Sequence, residues 1–199
     1  MDIRQQIAPK GLEYRASDFI ISDKYSTILT VISYPKFIDP GFLSQLTSLS
    51  GIKIVIKHIP LPFSVISKMI NKEIADLKVR YQQENDKTLQ ERIRLDYESL
   101  EQFITMLAST QSKIYDFQMH IMVTADSQDD LVAKKLQVKN YLEAMEMRAI
   151  PLRFEQEKVL KSIIPIYPKQ EIEDRIGTPI PSPTIFYMYY QFPMLPAEL

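Results

Sequence analysis

The 199 residues contain no cysteine and no tryptophan, only four glycines and only two histidines. Without thiols there can be no disulfide framework, no thiolate zinc site and no cysteine nucleophile. Glycine stands only at 11, 41, 51 and 177, and no pair has the spacing of a phosphate-cradling loop, G-x-x-x-x-G-K-[ST]. Unbalanced charge is also missing: 24 basic against 25 acidic residues leave a formal net charge of −1. That gives no bulk field to draw the chain onto nucleic acid or an anionic membrane. No apolar run approaches the roughly 20 residues of a spanning helix, and Met1-Asp2-Ile3-Arg4-Gln5-Gln6 lacks the basic patch and apolar stretch of a signal peptide. The chain is expected to be soluble and intracellular.

What is present is an ordinary globular composition, 45% hydrophobic and 25% charged. A chain of this length buries roughly 70% of its unfolded surface and needs no metal or disulfide to hold a core. Residues 1–17 read as an irregular lead-in around Pro9 and Gly11, with a short strand near Leu12 to Tyr14. Tyr25 to Tyr34 is rich in β-branched and aromatic residues and reads as a central strand ending at Pro35. Asp39 and Pro40 then suit a helix start. Phe42, Leu43, Leu46 and Leu49 follow at helical spacing, and Gly51 supplies the stop. Ile52 to Ile59 alternate as a second strand, which predicts a βαβ unit over 25–59.

From Ser64 the period lengthens. Ile66, Ile70, Ile74, Leu77 and Tyr81 form one helical seam, Asn85 and Asp86 break it, and Leu89, Ile93, Tyr97, Leu100, Ile104 and Leu107 form another. The two predict an antiparallel helical hairpin at about 63–111. Strand character returns at 114–124, with Phe117, Met119, Ile121 and Val123 on one face and Gln118, His120, Met122 and Thr124 on the other. Ser127-Gln128-Asp129-Asp130 has capping-box spacing before a helical stripe of Leu131, Lys135, Val138, Leu142 and Met145, and Ala149 to Phe154 closes the unit as a strand. The expected fold class is α+β, a ferredoxin-like antiparallel sheet of two βαβ units with a long helical-hairpin insertion and right-handed crossovers. That domain spans 18–164.

Residues 165–199 hold seven of the thirteen prolines and read as a stiff linker. It leads to an aromatic strand, Ile185 to Phe192, directed toward a missing C-terminal domain. Phe186, Tyr187, Tyr189, Tyr190 and Phe192 are the candidate interaction residues, because an exposed strand of this composition seeks a sheet edge, a groove or its own missing domain. The alternative is that this strand folds back on the open face of its own sheet.

No catalytic, cofactor-binding or metal constellation emerges. His58 and His120 fall on neighbouring strands, but parity sets their rings on opposite faces. Asp126, Asp129 and Asp130 begin a helix, where the dipole favours them, and Glu171, Glu173 and Asp174 lie beside the proline-rich stretch; neither group has a calcium-loop pattern. Lys68, Lys72, Lys78 and Arg80 are interleaved with Glu73 and Asp76 as a solvated mixed face. The seam of the second helix reads as packing on its neighbour rather than as a partner-binding coiled coil.

The order of segments resembles the N-terminal domain of the ATPases of conjugation and type IV secretion machines, the CagE, TrbE and VirB type. The resemblance is carried by Ser22-Asp23-Lys24-Tyr25 running into Ile28 to Tyr34-Pro35 and Gly41-Phe42-Leu43, by Val55-Ile56-Lys57-His58-Ile59-Pro60, by Met119 to Leu131, and by Phe192-Pro193. It implies a noncatalytic docking module of a conjugative DNA-transfer ATPase at the cytoplasmic side of a bacterial membrane. The implied partners are other secretion components and the chain's own ATPase domain, with peripheral membrane contact and homo-oligomers compatible. ATP and magnesium belong, on this resemblance, only to the missing RecA-like motor. The alternatives are a nucleic-acid-binding ferredoxin-like domain, disfavoured by charge and by the lack of an aromatic cluster on its strands, and a self-associating adaptor.

Overall fold

The computed structural model describes residues 11–35, 42–110 and 113–181. The chain has mixed α/β architecture with an antiparallel sheet, and it divides into two compact units. Among the described residues, the sheet unit takes those up to His58 and Phe117–Thr178, and the hairpin unit takes Ile59–Asp116 and the residues from Pro179.

The strands of the sheet are β1 (Leu12–Tyr14), β2 (Phe19–Ile21), β3 (Lys24–Ser33), β4 (Ile52–Leu61), β5 (Ile114–Ala125) and β6 (Arg148–Pro151). Their order across the sheet is β1-β2-β3-β5-β4, with β6 on β3. A strand β7 (Thr178–Pro181) also pairs with β5. Ser22 and Asp23 both adopt positive φ, 48° and 67°, making the two-residue turn whose twist matches the β2–β3 hairpin. The sequence reading placed one strand here; Ser-Asp lacks the glycine that usually signals this turn.

β2 pairs with β3 as far as Ser26, and β6 pairs with it from Leu29, while β5 takes the other edge through Tyr25↔Ala125 to Thr30↔His120. On this β2/β6 edge of β3, no strand among the described residues pairs with Ile28. The side-chain amide of Gln156 takes that place, accepting from Ile28 N at 2.8 Å and donating to Ile28 O at 3.2 Å. A buried backbone amide and carbonyl are thereby satisfied.

Both faces of this sheet are covered. Helix α4 (Gln128–Ala144) starts where Ser127 accepts from Asp130 N at 3.1 Å, and it buries Leu131, Val138 and Leu142. Strand alternation leaves it the face of Leu29, Val31, Phe117, Met119, Ile121 and Val123, all fully buried. The opposite face is covered by α5 (Gln156–Ile163) and α6 (Glu173–Ile176), in a cluster of Phe19, Ile28, Val159, Leu160, Ile172 and Ile176. The first part of the stretch read as a linker is thus core: Ile172 is 1% exposed and Glu173 3%. Helix α1 is only four residues, Ser44–Thr47, although Phe42, Leu43 and Leu46 are buried as their spacing predicts. Asp39 and Pro40 lie outside the described residues.

The hairpin unit is built on α2 (Phe63–Gln83) and α3 (Lys87–Thr110), which pack on one another. The turn between them is fastened by acceptors: Asp86 Oδ1 takes Thr88 N at 2.7 Å, and Glu84 Oε1 takes Asn85 N at 2.9 Å and Asp86 N at 3.0 Å. These satisfy donors that a helix start leaves without partners. Its core is Ile66, Ile70, Leu107 and Ile114, with Ile74, Leu100, Phe103 and Ile104 packed against them. Among the described residues no helix is long and apolar enough to cross a membrane.

Candidate functional site

The five aromatic residues singled out in the sequence, Phe186, Tyr187, Tyr189, Tyr190 and Phe192, lie outside the described residues. The two histidines are described and stand apart. His120 is fully buried on β5, while His58 is exposed on β4. Lys57 turns toward the α5–α6 side, where His120 also lies, so alternation sends His58 to the other face.

The acidic group at the α4 start behaves as helix-start charge. Asp130 pairs with Lys134 at 3.2 Å, and Asp126 pairs with Lys24, whose hydrogen bond holds the Asp126 carboxyl below the usual carboxylate range. The second acidic group separates: Asp174 pairs with Lys169 at the surface, whereas Glu173 is buried.

Glu173 organises a polar cluster that the sequence reading missed. Its carboxylate meets Lys57 Nζ at 2.5 Å and accepts from Gln170 N at 2.9 Å. Lys57 also donates to the Ser162 carbonyl at 3.0 Å, and Gln118 Nε2 donates to the Glu173 carbonyl at 2.8 Å. His120 Nδ1 lies 3.1 Å from Thr30 Oγ1, and its Nε2 has no hydrogen-bond partner among the described residues. Burial pushes the imidazole down to about 4, with Lys57 nearby pushing the same way and Glu173 opposing, so the ring is neutral at pH 7. The readable signal was a polar stripe, Ser26 and Thr30 on β3 facing Thr124 and His120 on β5. Chemically the cluster ties α5 and α6 to the sheet. It brings together an ammonium, a carboxylate and a neutral ring, all committed to internal partners or enclosed. Among the described residues no group of three His, Asp or Glu side chains is placed to hold a metal.

A different kind of site sits within the hairpin unit. Past its core, α2 and α3 leave a groove of about 320 Å³ floored by Leu77 and Ile93 and walled by Tyr81, Tyr97, Lys78 and Arg94. Lys78 Nζ rests 5.0 Å from the Tyr97 ring centroid, Tyr97 donates to Glu101, and Arg94 is clasped by Glu91 at 2.5 Å and Glu98 at 2.6 Å. Of the rim cations Arg94 is neutralised by its own helix and Lys78 lies against the Tyr97 ring, and the groove presents mainly apolar and aromatic surface. Tyr81 remains 41% exposed. Sequence periodicity placed Leu77 and Ile93 on the seam but could not show that the seam stays unfilled there.

No protein-family model matches the chain, and no curated protein matches its sequence.

Proposed function

We propose that this chain is a noncatalytic docking and assembly module of a conjugative-transfer (type IV secretion) ATPase, positioning the motor against other components at the inner face of a bacterial membrane. The observation that carries the docking part is the unfilled groove of the hairpin unit. Two helices of 21 and 24 residues close their seam through Ile66, Ile70 and Leu107 and leave it open at Leu77, Ile93 and Tyr97. Such a groove is the shape that receives the apolar face of an amphipathic helix.

The machine itself is inferred from the order of segments in the sequence. Two features of the fold support the same reading. The order β6-β3-β5-β4 sets the fourth of these strands beside the first and the third between the first and second, as two interleaved βαβ halves would. On that plan the helical hairpin, which follows β4 and precedes β5 in the chain, would be the insertion between the halves. The β1–β2 hairpin and the α5–α6 cover are additions to that ferredoxin-like plan, and the four-residue α1 makes its first crossover thin. The cover also occupies the sheet face that an open ferredoxin-like sheet would offer to stacked bases, which weighs against the nucleic-acid alternative.

Two measurements test the proposal. The reading frame followed beyond Leu199 is expected to enter a G-x-x-x-x-G-K-[ST] loop. The purified 199-residue chain with ATP and magnesium is expected to release phosphate no faster than a buffer blank. Turnover by this chain, removed by no single contaminant-clearing step, would overturn the noncatalytic reading.

A further inference from the structure

We infer that the outer edge of β4, over Ile52–His58, is a strand-addition site for an extended partner segment that alternates apolar and acidic residues. Sheets expose rows of unpaired amides and carbonyls at their outer strands, and native proteins blunt them by shortness, proline or charge. The outer strands β1 and β6 have three and four residues, and β6 ends in Pro151. By contrast, β4 is ten residues long.

Its inner edge is taken by β5, with Thr124 N donating to Gly51 O at 2.8 Å where the strand begins. Among the described residues no strand takes its outer edge. Ile52, Ile54, Val55 and Ile56 are only partly buried, whereas Ile28, Leu29 and Val31 in β3 are fully buried. A β-branched run of this kind is well suited to receive another strand.

Charge selects the occupant. Ile52–His58 carries Lys53, Lys57 and His58 and no acid. Lys57 is held by Glu173, which leaves Lys53 exposed and without an ion pair among the described residues. A second copy paired antiparallel about Val55 would set Lys53 opposite Lys57, whose acidic partner is already Glu173, and so would bring Lys53 no carboxylate. A segment with carboxylates in register with Lys53 supplies what the copy lacks.

This inference goes beyond the groove and holds whichever machine the chain serves. Its failure would leave helix docking untouched, and a failure of the secretion reading would leave this edge to be explained.

The test uses the full chain and an eight-residue probe peptide alternating glutamate and valine, blocked at both ends. Hydrogen exchange of the β4 amides within 52–58 should slow about tenfold at saturating probe. The same peptide with lysine for glutamate should bind about fivefold more weakly at low salt, and Lys53→Glu should reverse the preference. A probe N-methylated on alternate residues keeps one bonding edge and should still bind in one of its two registers; methylation of every residue should abolish binding. Protection that survives full methylation, equal affinity for both peptides, or a concentration-dependent dimer protecting 52–58 without probe would each overturn the inference.

Discussion

The two units solve different problems with different side chains. Every buried polar side chain among the described residues lies in the sheet unit: Ser26, Thr27, Thr30, Gln118, His120, Gln156, Ser162 and Glu173. In the hairpin unit the buried side chains are apolar, and charges stay outside as short-range pairs such as Arg94 with Glu91 and Glu98. A helix satisfies its own backbone, so packing two of them requires only apolar seams. Strands and the irregular chain between α5 and α6 cannot do this. Gln156 completes the β3 ladder at Ile28, and Lys57 and Gln118 bind carbonyls of the covering segment. Buried polar partners fix one arrangement closely, and a missing one leaves its mate uncompensated.

The sharpest way to break the sheet unit is at a backbone contact. A Cβ on Gly51 would stand 2.3 Å from the Thr124 carbonyl oxygen, and Gly51 has φ of +79°. Gly51→Ala is expected to cost about 4 kcal/mol or more, read by urea unfolding, with amides of the hairpin unit losing less protection than those of β4 and β5. Next comes the ion pair. Lys57→Met leaves Glu173 charged in the interior and should cost about 3 kcal/mol, whereas joining it with Glu173→Leu should return most of that loss. If the double substitution is as damaging as the single one, the pair is not what holds α6.

Acid should distinguish the units in the same way. His120 resists protonation in the folded chain down to about 4, while in the unfolded chain it takes a proton near 6.5. The unfolded state therefore binds more protons between those values, and stability falls as pH drops from 6.5 toward 4, by about 3 kcal/mol in all. His120→Leu should flatten this part of the curve, and an unchanged slope would assign it elsewhere. The hairpin gives the smallest effects. Leu107→Ala should cost about 2–3 kcal/mol, and Ile93→Ala at the unfilled groove less than about 1 kcal/mol.

The contrast also explains what could be read in advance. Seams at three-and-four spacing needed only local pattern, so Ile66, Ile70 and Leu107 were legible as core and Asn85-Asp86 as the break. The alternation of Phe117 to Val123 showed one buried face of β5. It did not show that Gln118 and His120 are buried too, because their cover comes from residues 156–176, far along the chain. Val159, Leu160 and Ile163 give α5 a short apolar stripe, but prolines at 165 and 168 made the following stretch read as linker. Glu173 looked like a surface acid since nothing local announces Lys57, 116 positions away. The groove was invisible for a simpler reason: periodicity locates a seam and says nothing of how tightly it closes.

The central claim is that this chain docks other proteins and that the hairpin groove is where it does so. The most direct measurement is affinity, by calorimetry, between the purified chain and the secretion-machine components that the proposed function names as partners, compared with an Ile93→Asp variant. The account predicts binding that the substitution weakens at least about tenfold while the unfolding midpoint shifts little. Equal binding by both forms, or no binding to any component, would contradict it.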